Sequence, residues 1–495
     1  MRGSQRRAAA IGLLLGWWGL GVRAQDGRNV IDRLLEQAAA PSVLEKNLRV
    51  LCDEIGGRMP GTPAMSRAVA WAVEAFRQAG ADRVYTQAFS VPNSWAEGES
   101  RAEVIAPVRF RVSVAAAGWT PATPDGGLEA EVLDAGEGGE DEMRRVGSAA
   151  RGKVLLIRSQ VVASFHDLAT VHRRSIIAMR EAQKAAAAGV LFMSTRPLGL
   201  LYRHIHGLDG RLDKLPAAVV AREDAQRILR LLEAGNRVRI RLDLPNKTGG
   251  PVEAHNVVAE IPGREKPEEV VIIGAHLDSW DLGTGCLDNG CNAALVVELA
   301  RAIQAVQPRP RRTLRFILFG AEEQGLLGSR AYVEQLGQEI DRVAAVVIHD
   351  IGVGRINGYS LGGRQELEAP LAEAMAPVAS RGANSHNTQA FYGTDHFDFL
   401  LQGIPTLVAD QDTTDYVPNY HAASDTFDKV DLTELKNQAA IAVVTLYNIA
   451  DREQRLGKRL TRAELEILLQ QTGLEDQLKF LGLWEEFARG RRGHR

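Results

Sequence analysis

The sequence predicts an α/β protein with a mostly parallel central sheet flanked by helices and with a separate, inserted β-rich module. Three apolar runs, Val270–Ala275, Leu314–Phe319 and Val343–Ile348, lack the polar alternation of half-buried strands. Such runs indicate strands that are buried on both faces, as in a mostly parallel sheet. Helical patterns at residues 292–306 and 325–336 separate the three runs, and this alternation is typical of an α/β fold.

The segments before this core differ from it in pattern. Residues 31–79 repeat a helical pattern around a turn-rich break at Ile55–Gly61, and Val84–Val91 alternates like a strand. Residues 106–247 carry short β-like runs and one Ala-rich helix at residues 180–188, separated by Gly and Pro. This change of character predicts that residues 106–247 form the β-rich module.

The segments after the core predict a further strand and a tail. Gly403–Val408 is another apolar run, and the tail after Asp451 contains a helix that Thr461–Glu464 opens with a capping-box pattern. The basic end of the chain, Arg489–Arg495, is interpreted as a solvated, frayed terminus.

Composition limits the class of protein. A chain of 495 residues is expected to form about two or three domains, and 45% apolar with 24% charged residues is typical of a soluble globular protein. Removal of residues 1–24 would take away four Arg and no acidic residue, which moves the net charge from −3 to −7. A mildly acidic protein is not expected to bind nucleic acid.

The N-terminus predicts an exported protein, periplasmic or extracellular. Arg2, Arg6 and Arg7 precede the apolar segment Ala8–Val22, and Val22-Arg23-Ala24 offers a signal-peptide cleavage site. The apolar segment is shorter than the roughly 20 residues that a bilayer span needs. We therefore expect no stable membrane insertion after cleavage, with a retained anchor as the alternative.

Cysteine use is sparse. The chain has three Cys, at positions 52, 286 and 291, so we expect no dependence on a disulfide framework. Cys286 and Cys291 flank Asp288, but a thiolate metal site normally brings a denser Cys/His cluster. Packing around a tight loop is the favoured interpretation, and the oxidation state of this pair stays open.

Polar residues follow the three predicted core strands and suggest a metal centre. Side chains at the carboxyl ends of such strands meet at one edge of the sheet. Imidazole and carboxylate groups without thiolates favour Zn²⁺, and one shared carboxylate would allow two ions about 3.5–4 Å apart with a bridging water. The candidate residues are His276, Asp288, Glu322, Glu323, Asp350 and His421.

Adjacent residues in this set are expected to have different roles. Successive strand residues point in opposite directions, so one of Glu322 and Glu323 would bind a metal while the other would act as general base. Asp278 lies two residues after His276 and is expected to accept its second ring N–H. His349 competes with Asp350, and the carboxylate is favoured.

Each of these residues also has an ordinary structural interpretation. A single His at a strand end is usually structural, a Glu pair usually starts a solvated helix, and Asp288-Asn289-Gly290 is a common turn. The metal interpretation gains weight because three consecutive strand ends each supply a ligand type.

The motifs resemble those of the co-catalytic zinc exopeptidases, the family of leucyl aminopeptidases and carboxypeptidase Q. The resemblance runs from Ile31 to about Leu446 and is closest to the carboxypeptidase Q-like branch, which carries an inserted protease-associated module. The matching segments are Gly274–Ser279, Gly285–Asn292, Phe319–Glu323, Asp350–Gly352, Gly393–Phe397 and His421–Thr426.

The resemblance implies a role for each residue and a division of the chain. His276, Asp288 and Asp350 would bind one zinc, and Asp288, Glu323 and His421 the other, with Glu322 as general base and Asp278 behind the ligands. Tyr420 is a candidate for stabilising the oxyanion, with packing as the alternative. The implied division is a signal peptide (1–24), a first peptidase part (25–105), the protease-associated-like module (106–247), a second peptidase part with the metal site (248–450) and a helical tail (451–495).

The function that the resemblance implies is a secreted, zinc-dependent exopeptidase or dipeptidase that hydrolyses short peptides through a metal-bridging water. Whether it attacks the amino or the carboxyl end stays open, and a homodimer is one candidate assembly. Two alternatives are a metal-free binding scaffold and a single-zinc glutaminyl cyclase. A complete ligand set argues against the first, and the inserted module argues against the second.

Overall fold

A computed structural model describes residues 30–494 of the chain. The predicted signal peptide lies outside the described residues. None of the helices within residues 30–494 combines the length and the apolar character that a bilayer span needs.

Helices surround two sheets. The described part of the first helix, α1, covers residues 30–39. The others are α2 (Leu44–Arg49), α3 (Pro63–Gln78), α4 (Glu140–Val146), α5 (Phe165–Lys184), α6 (Arg222–Glu233), α7 (Cys291–Gln304), α8 (Leu327–Leu336), α9 (Glu368–Met375), α10 (Phe397–Leu400), α11 (Tyr416–Asn419), α12 (Leu432–Asp451), α13 (Arg462–Gln471), α14 (Leu474–Leu481) and α15 (Trp484–Ala488).

The larger part of the chain is built on a sheet of seven strands. In spatial order these are β1 (Arg83–Val91), β12 (Val252–Ile261), β14 (Arg312–Phe319), β13 (Lys266–His276), β15 (Val343–Ile348), β17 (Thr406–Gln411) and β16 (Ile356–Ser360). The four strands β14, β13, β15 and β17 are parallel, and the strands at both edges are antiparallel. The predicted α/β fold is confirmed, but only three of the six strand pairings in this sheet are parallel, so the sheet is mixed rather than mostly parallel.

Helices cover both faces of this sheet. Along β13, Val271 and Ile273 pack in the core with α3, α7 and α12, whereas Ile272 packs on the opposite face with Tyr332 of α8 and Phe399 of α10. Burial on both faces explains why the central strands are apolar without alternation.

A second, eight-stranded sheet lies between β1 and β12 in the chain. Its spatial order is β4 (Phe110–Val112), β3 (Arg101–Ala106), β10 (Arg239–Asp243), β6 (Leu128–Asp134), β7 (Val154–Ile157), β8 (Gly189–Met193), β9 (Ala217–Val220) and β5 (Val114–Ala116). The short strands β2 (Trp95–Ala96) and β11 (Lys247–Thr248) form a separate antiparallel pair. In the chain, β2 follows β1 and β11 precedes β12, so the pair lies where the chain leaves the first sheet and returns to it. Because β3 belongs to this sheet, the sheet begins before residue 106, the predicted boundary.

The helix predicted at residues 180–188 is misplaced. Helix α5 begins after Ser164, whose side chain accepts a hydrogen bond from Asp167 N–H, and it ends at Lys184. Ala186 adopts a left-handed conformation (φ 55°) on the way into β8. The alanines at the end of the predicted helix therefore form the turn between α5 and β8.

The tail is better ordered than its basic composition predicts. The capping box at Thr461 and Glu464 is confirmed at the start of α13. The frayed-terminus interpretation is wrong for Arg492, which is 3% exposed and donates two hydrogen bonds to Asp398, at 2.7 and 2.8 Å. A buried bidentate pair anchors the chain end to α10.

Arg492→Met should lower the free energy of unfolding by about 3–5 kcal/mol, because it leaves the Asp398 carboxylate buried without its partner. Denaturant titration followed by circular dichroism measures the change. Arg491→Met is the matched control, since Arg491 is exposed and its loss should cost less than about 0.5 kcal/mol. Equal destabilisation by the two variants would contradict the anchoring role.

One disulfide joins Cys52 to Cys286, with a Cα–Cα distance of 5.6 Å and 234 residues between them in sequence. Cys291 is free and buried, and its thiol donates to the Leu287 carbonyl at 3.4 Å. Cys286 and Cys291 are close in sequence, but the partner of Cys286 is Cys52, because the segment after α2 packs against the loop that precedes α7.

Candidate metal centre

The parallel strands bring the predicted residues to one edge of the seven-stranded sheet. His276 is the last residue of β13, Asp350 lies two residues beyond β15, and Glu323 lies four residues beyond β14. Asp288 comes from the loop between β13 and α7, and His421 follows α11 with a left-handed backbone (φ 57°). All five side chains are buried.

Asp288 lies at the middle of this group. The Nε2 atom of His276 is 3.1 Å from Asp288 Oδ1 and 3.0 Å from Asp350 Oδ1. On the other side, His421 Nε2 is 3.3 Å from Asp288 Oδ2 and 2.9 Å from Glu323 Oε2. Each oxygen of Asp288 therefore faces a different histidine, as expected of a carboxylate that bridges two cations.

Glu322 and Glu323 diverge, but not for the predicted reason. Strand β14 ends at Phe319, so the two glutamates lie beyond it in a turn where Glu322 O accepts from the N–H groups of Gly325 and Leu326, both at 2.8 Å. The turn directs Glu323 to His421 and leaves Glu322 partly exposed in the wall of the cleft.

Asp278 orients its neighbours differently from the prediction. The Nδ1 atom of His276 lies 3.0 Å from the backbone carbonyl of Asp278 and 3.7 Å from its carboxylate. The carboxylate instead accepts the backbone N–H groups of Glu322 and Glu323, at 3.1 and 3.2 Å. Asp278 thus positions the histidine through its main chain and the glutamate turn through its side chain.

The pKa values of these residues are shifted because several carboxylates are buried close together. Burial raises the pKa of Asp350 to about 7 and raises that of Glu323. Burial alone would lower the pKa of His421, but Glu323 and Asp288 raise it to about 9, and Asp350 and Asp288 likewise raise the pKa of His276 well above its ordinary value. The carboxylates therefore favour positive charge at both imidazoles.

The residues fit a divalent cation. Atoms of His276, Asp288 and Glu323 that are able to bind a metal lie within 4.8 Å of one another. Glu323 Oε1 is buried and accepts no hydrogen bond within the described part of the chain. Buried carboxylate oxygens without donors are costly unless a cation neutralises them, and the His/carboxylate donor set is the one that zinc prefers without thiolates.

Three residues that the sequence analysis did not assign hold the loop of Asp288. Asp425 accepts the backbone N–H groups of Leu287 and Asp288, at 2.6 and 3.1 Å. The side chain of Asn289 donates to Asp350 Oδ1 at 2.9 Å. The buried guanidinium of Arg58 donates to main-chain carbonyls of the loop from Leu277 to Gly285.

Burial lowers the pKa of Arg58 to about 10. A signal was present in the sequence for all three residues. Asp425 and Asn289 lie in the motif segments His421–Thr426 and Gly285–Asn292, and Arg58 is a lone charge in a glycine-rich turn.

The choice between His349 and Asp350 is resolved by position. The ring of His349 points away from the carboxylates toward Tyr359, with centroids 6.0 Å apart, and burial lowers its pKa to about 4. Asp350, not His349, faces His276. The ring of Tyr420 stacks on His421 with centroids 3.6 Å apart, and Tyr420 also lines the cleft, so both of its predicted roles stay open.

A cleft of about 710 Å³ opens over the group. The cleft is lined by the edge of the seven-stranded sheet, by residues 387–394 and by helix α14 of the tail. Helix α5 and the loop around His204 also line it, and both belong to the second sheet's layer, which is the eight-stranded sheet with the helices and loops between its strands. Phe480 of α14 closes one side by packing under the guanidinium groups of Arg173 and Arg180 of α5, at 3.9 and 5.2 Å from its ring centre.

Known proteins share the sequence and the fold. The family model of peptidase family M28 matches residues 256–446 of the chain. Carboxypeptidase Q of Mus musculus is 30% identical over 416 residues, covering 83% of this chain and 86% of that protein. A peptidase M28 precursor from Shewanella amazonensis has a TM-score of 0.80 at 27% identity, covering 88% of this chain and 100% of that one. BSAP, described as a zinc aminopeptidase from Bacillus subtilis, has a TM-score of 0.65 at 21% identity, covering 83% and 95%.

These similarities agree with imidazole and carboxylate groups gathered at a sheet edge below a cleft, and they place the protein among the metallopeptidases. The chain belongs to peptidase family M28. The family resemblance found in the sequence is thereby confirmed.

Proposed function

We propose that the protein is an exported di-zinc exopeptidase that acts on short peptides. The observation that carries this proposal is the position of Asp288, whose two carboxylate oxygens face His276 and His421 separately. The zinc named in the description of the Bacillus subtilis neighbour supports the choice of metal. In this proposal His276, Asp288 and Asp350 hold one ion, and Asp288, Glu323 and His421 hold the other.

Zinc, when bound, would supply a Lewis acid for the scissile carbonyl and would lower the pKa of a water. Glu322 is the proposed general base: it takes a proton from the attacking water and delivers it to the leaving amine. Burial raises the pKa of Glu322 well above its ordinary value, which suits a carboxyl group that both accepts and returns a proton. Asp278 holds the turn that aims Glu322 into the cleft.

The shape of the cleft supports short substrates. Helix α5 and helix α14 meet across Phe480 and narrow the space over the sheet edge. We propose that residues 106–247 are a protease-associated module and that this module and the tail together exclude long chains. The carboxypeptidase and aminopeptidase relatives differ in the end of the peptide that they attack, so the direction is a matter for substrate tests.

Removal of metal should abolish peptide hydrolysis, and re-addition of zinc should restore it with two ions per chain. Because nearby carboxylates hold the pKa of His421 at about 9, zinc binding at neutral pH must displace a proton, and the affinity should fall as the pH falls. The measurement is a zinc titration of the chelator-treated protein in weak buffer, with proton release, bound zinc and dipeptide hydrolysis followed together.

Substrate blocking then identifies the direction. Loss of hydrolysis with N-blocked dipeptides indicates an aminopeptidase, loss with C-blocked dipeptides indicates a carboxypeptidase, and loss with both indicates a dipeptidase. A protein that binds no zinc would contradict the proposal and favour the metal-free scaffold, and one zinc per chain would favour the single-zinc alternative.

A further inference from the structure

The second sheet's layer contacts the metal centre directly, through a short strand-like pairing with the loop of His421. Tyr202 and Ala422 form an antiparallel bridge. Beside it, Arg203 N–H donates to the His421 carbonyl at 2.9 Å, and Ala423 N–H donates to the Leu201 carbonyl at 3.0 Å. The pairing fixes the main chain of the His421 loop against residues that come from between β8 and β9.

The same pairing orients the imidazole. His421 Nδ1 lies 3.1 Å from the carbonyl oxygen of Arg203. When Nδ1 donates its proton to that carbonyl, Nε2 is left as the atom that faces Glu323 and Asp288. A carbonyl that accepts the second ring N–H sets both the tautomer and the ring direction of a ligating histidine.

The side chain of Arg203 holds that carbonyl in place. It is 1% exposed, and its guanidinium lies 2.5 Å from Glu97 Oε2 and 2.8 Å from Asp281 Oδ1. It also donates to the Ala116 carbonyl at 2.6 Å and lies over the ring of Trp95, 4.9 Å from its centre. The four anchors come from three segments, because Trp95 and Glu97 are two residues apart, and Asp281 ties the arginine to the loop that leaves β13.

Asp281 gives this arrangement its link to the first sheet. It lies five residues after His276 in the loop that also carries Asp278. Arg203 therefore anchors the carbonyl that orients His421 to the loop after His276, whereas His276 itself is oriented by the carbonyl of Asp278. Guanidinium, unlike ammonium, presents several N–H groups in a fixed plane and is suited to holding two carboxylates and a carbonyl at once.

We infer that Arg203 is a positioning residue for the zinc site of Asp288, Glu323 and His421. The second sheet's layer thereby controls metal occupancy as well as access to the cleft. The inference rests on the proposed function, specifically on His421 as a ligand. Loss of the Arg203 side chain should weaken the site of Asp288, Glu323 and His421 and spare the site of His276 and Asp350.

The test compares zinc affinities in Arg203→Met, Arg203→Lys and His421→Ala. Competition with a fluorescent chelator measures the two dissociation constants per chain. Arg203→Met should weaken one of them by about 10–100-fold and leave the other within about twofold. Arg203→Lys, which keeps the charge but not the fork of donors, should fall between Met and wild type. His421→Ala should remove one ion.

Arg312→Met is the matched control. Arg312 is equally buried at 1% exposure and pairs with Glu269 at 2.5 Å, but it lies at the start of β14, at the end of the sheet away from the metal centre. This variant should lose stability while keeping both zinc affinities. If Arg203→Met does not fold, Asp281→Asn removes one anchor from a partly exposed position and should weaken the same site to a smaller extent.

The outcomes separate the inference from the proposed function. Unchanged affinities in a folded Arg203→Met or Asp281→Asn protein, with one ion lost in His421→Ala, would overturn the inference and leave the ligand assignment intact. Two ions retained in His421→Ala would overturn the assignment itself. Equal weakening of both sites by Arg203→Met and by Arg312→Met would show a general loss of stability and would also overturn the inference.

Discussion

Glu322→Gln should lower kcat by about 10²–10⁴-fold while leaving two zinc ions bound. The change replaces a carboxyl group that exchanges a proton with an amide of the same shape that does not. Glu322 is not among the proposed ligands, and its main-chain N–H to Asp278 is unaffected by the substitution. Steady-state hydrolysis of a dipeptide and elemental analysis of the same sample measure the two effects.

Glu323→Gln is the matched control, because it makes the same chemical change at the adjacent residue. Glu323 faces His421 at 2.9 Å and is a proposed ligand, so this variant should lose zinc from one site together with activity. Near-normal turnover by Glu322→Gln would refute the assignment of the general base. Loss of zinc from Glu322→Gln would show that Glu322 is a ligand instead.

Asp288→Ala should reduce zinc binding at both sites and abolish hydrolysis. Its two oxygens are the groups shared between the histidines, so their removal takes a ligand from each ion and leaves His276 and His421 without their common partner. Zinc content after dialysis and the zinc dissociation constants report the loss directly, and circular dichroism verifies that the variant is folded.

Asp410→Ala is the control for this change. Asp410 also lines the cleft, but it accepts a hydrogen bond from Asn387 at 2.9 Å and lies outside the proposed ligand set. This variant should keep two zinc ions per chain. Two ions retained in Asp288→Ala would mean that this carboxylate does not bridge the metals.

The sequence contains most of the information for the site because parallel strands impose a simple rule. Strands β13, β14 and β15 are apolar and end next to His276, the glutamate pair and Asp350, and the carboxyl ends of parallel strands share one edge. The convergence of these groups could therefore be expected before any coordinates. His421 lies outside this rule, because it is in a late loop; its residue type made it a candidate, and the family motif supported its place in the set.

The features that could not be predicted depend on contacts of the main chain or on distant pairs. Asp278 orients His276 through its carbonyl, and every residue has a carbonyl, so residue type carries no signal. Cys52 forms a disulfide with Cys286, 234 residues away, and Arg492 pairs with Asp398, 94 residues away. The connection from Arg203 to His421 spans 218 residues and needs the packing of one sheet's layer against the other.

The pairing of two zinc ions around Asp288 is tested most directly by an anomalous difference map, collected at the zinc absorption edge from crystals of the zinc-loaded protein. We expect two peaks about 3.5–4 Å apart, one between His276 and Asp350 and the other between Glu323 and His421, with Asp288 next to both. A single peak, or two peaks that Asp288 does not bridge, would contradict it.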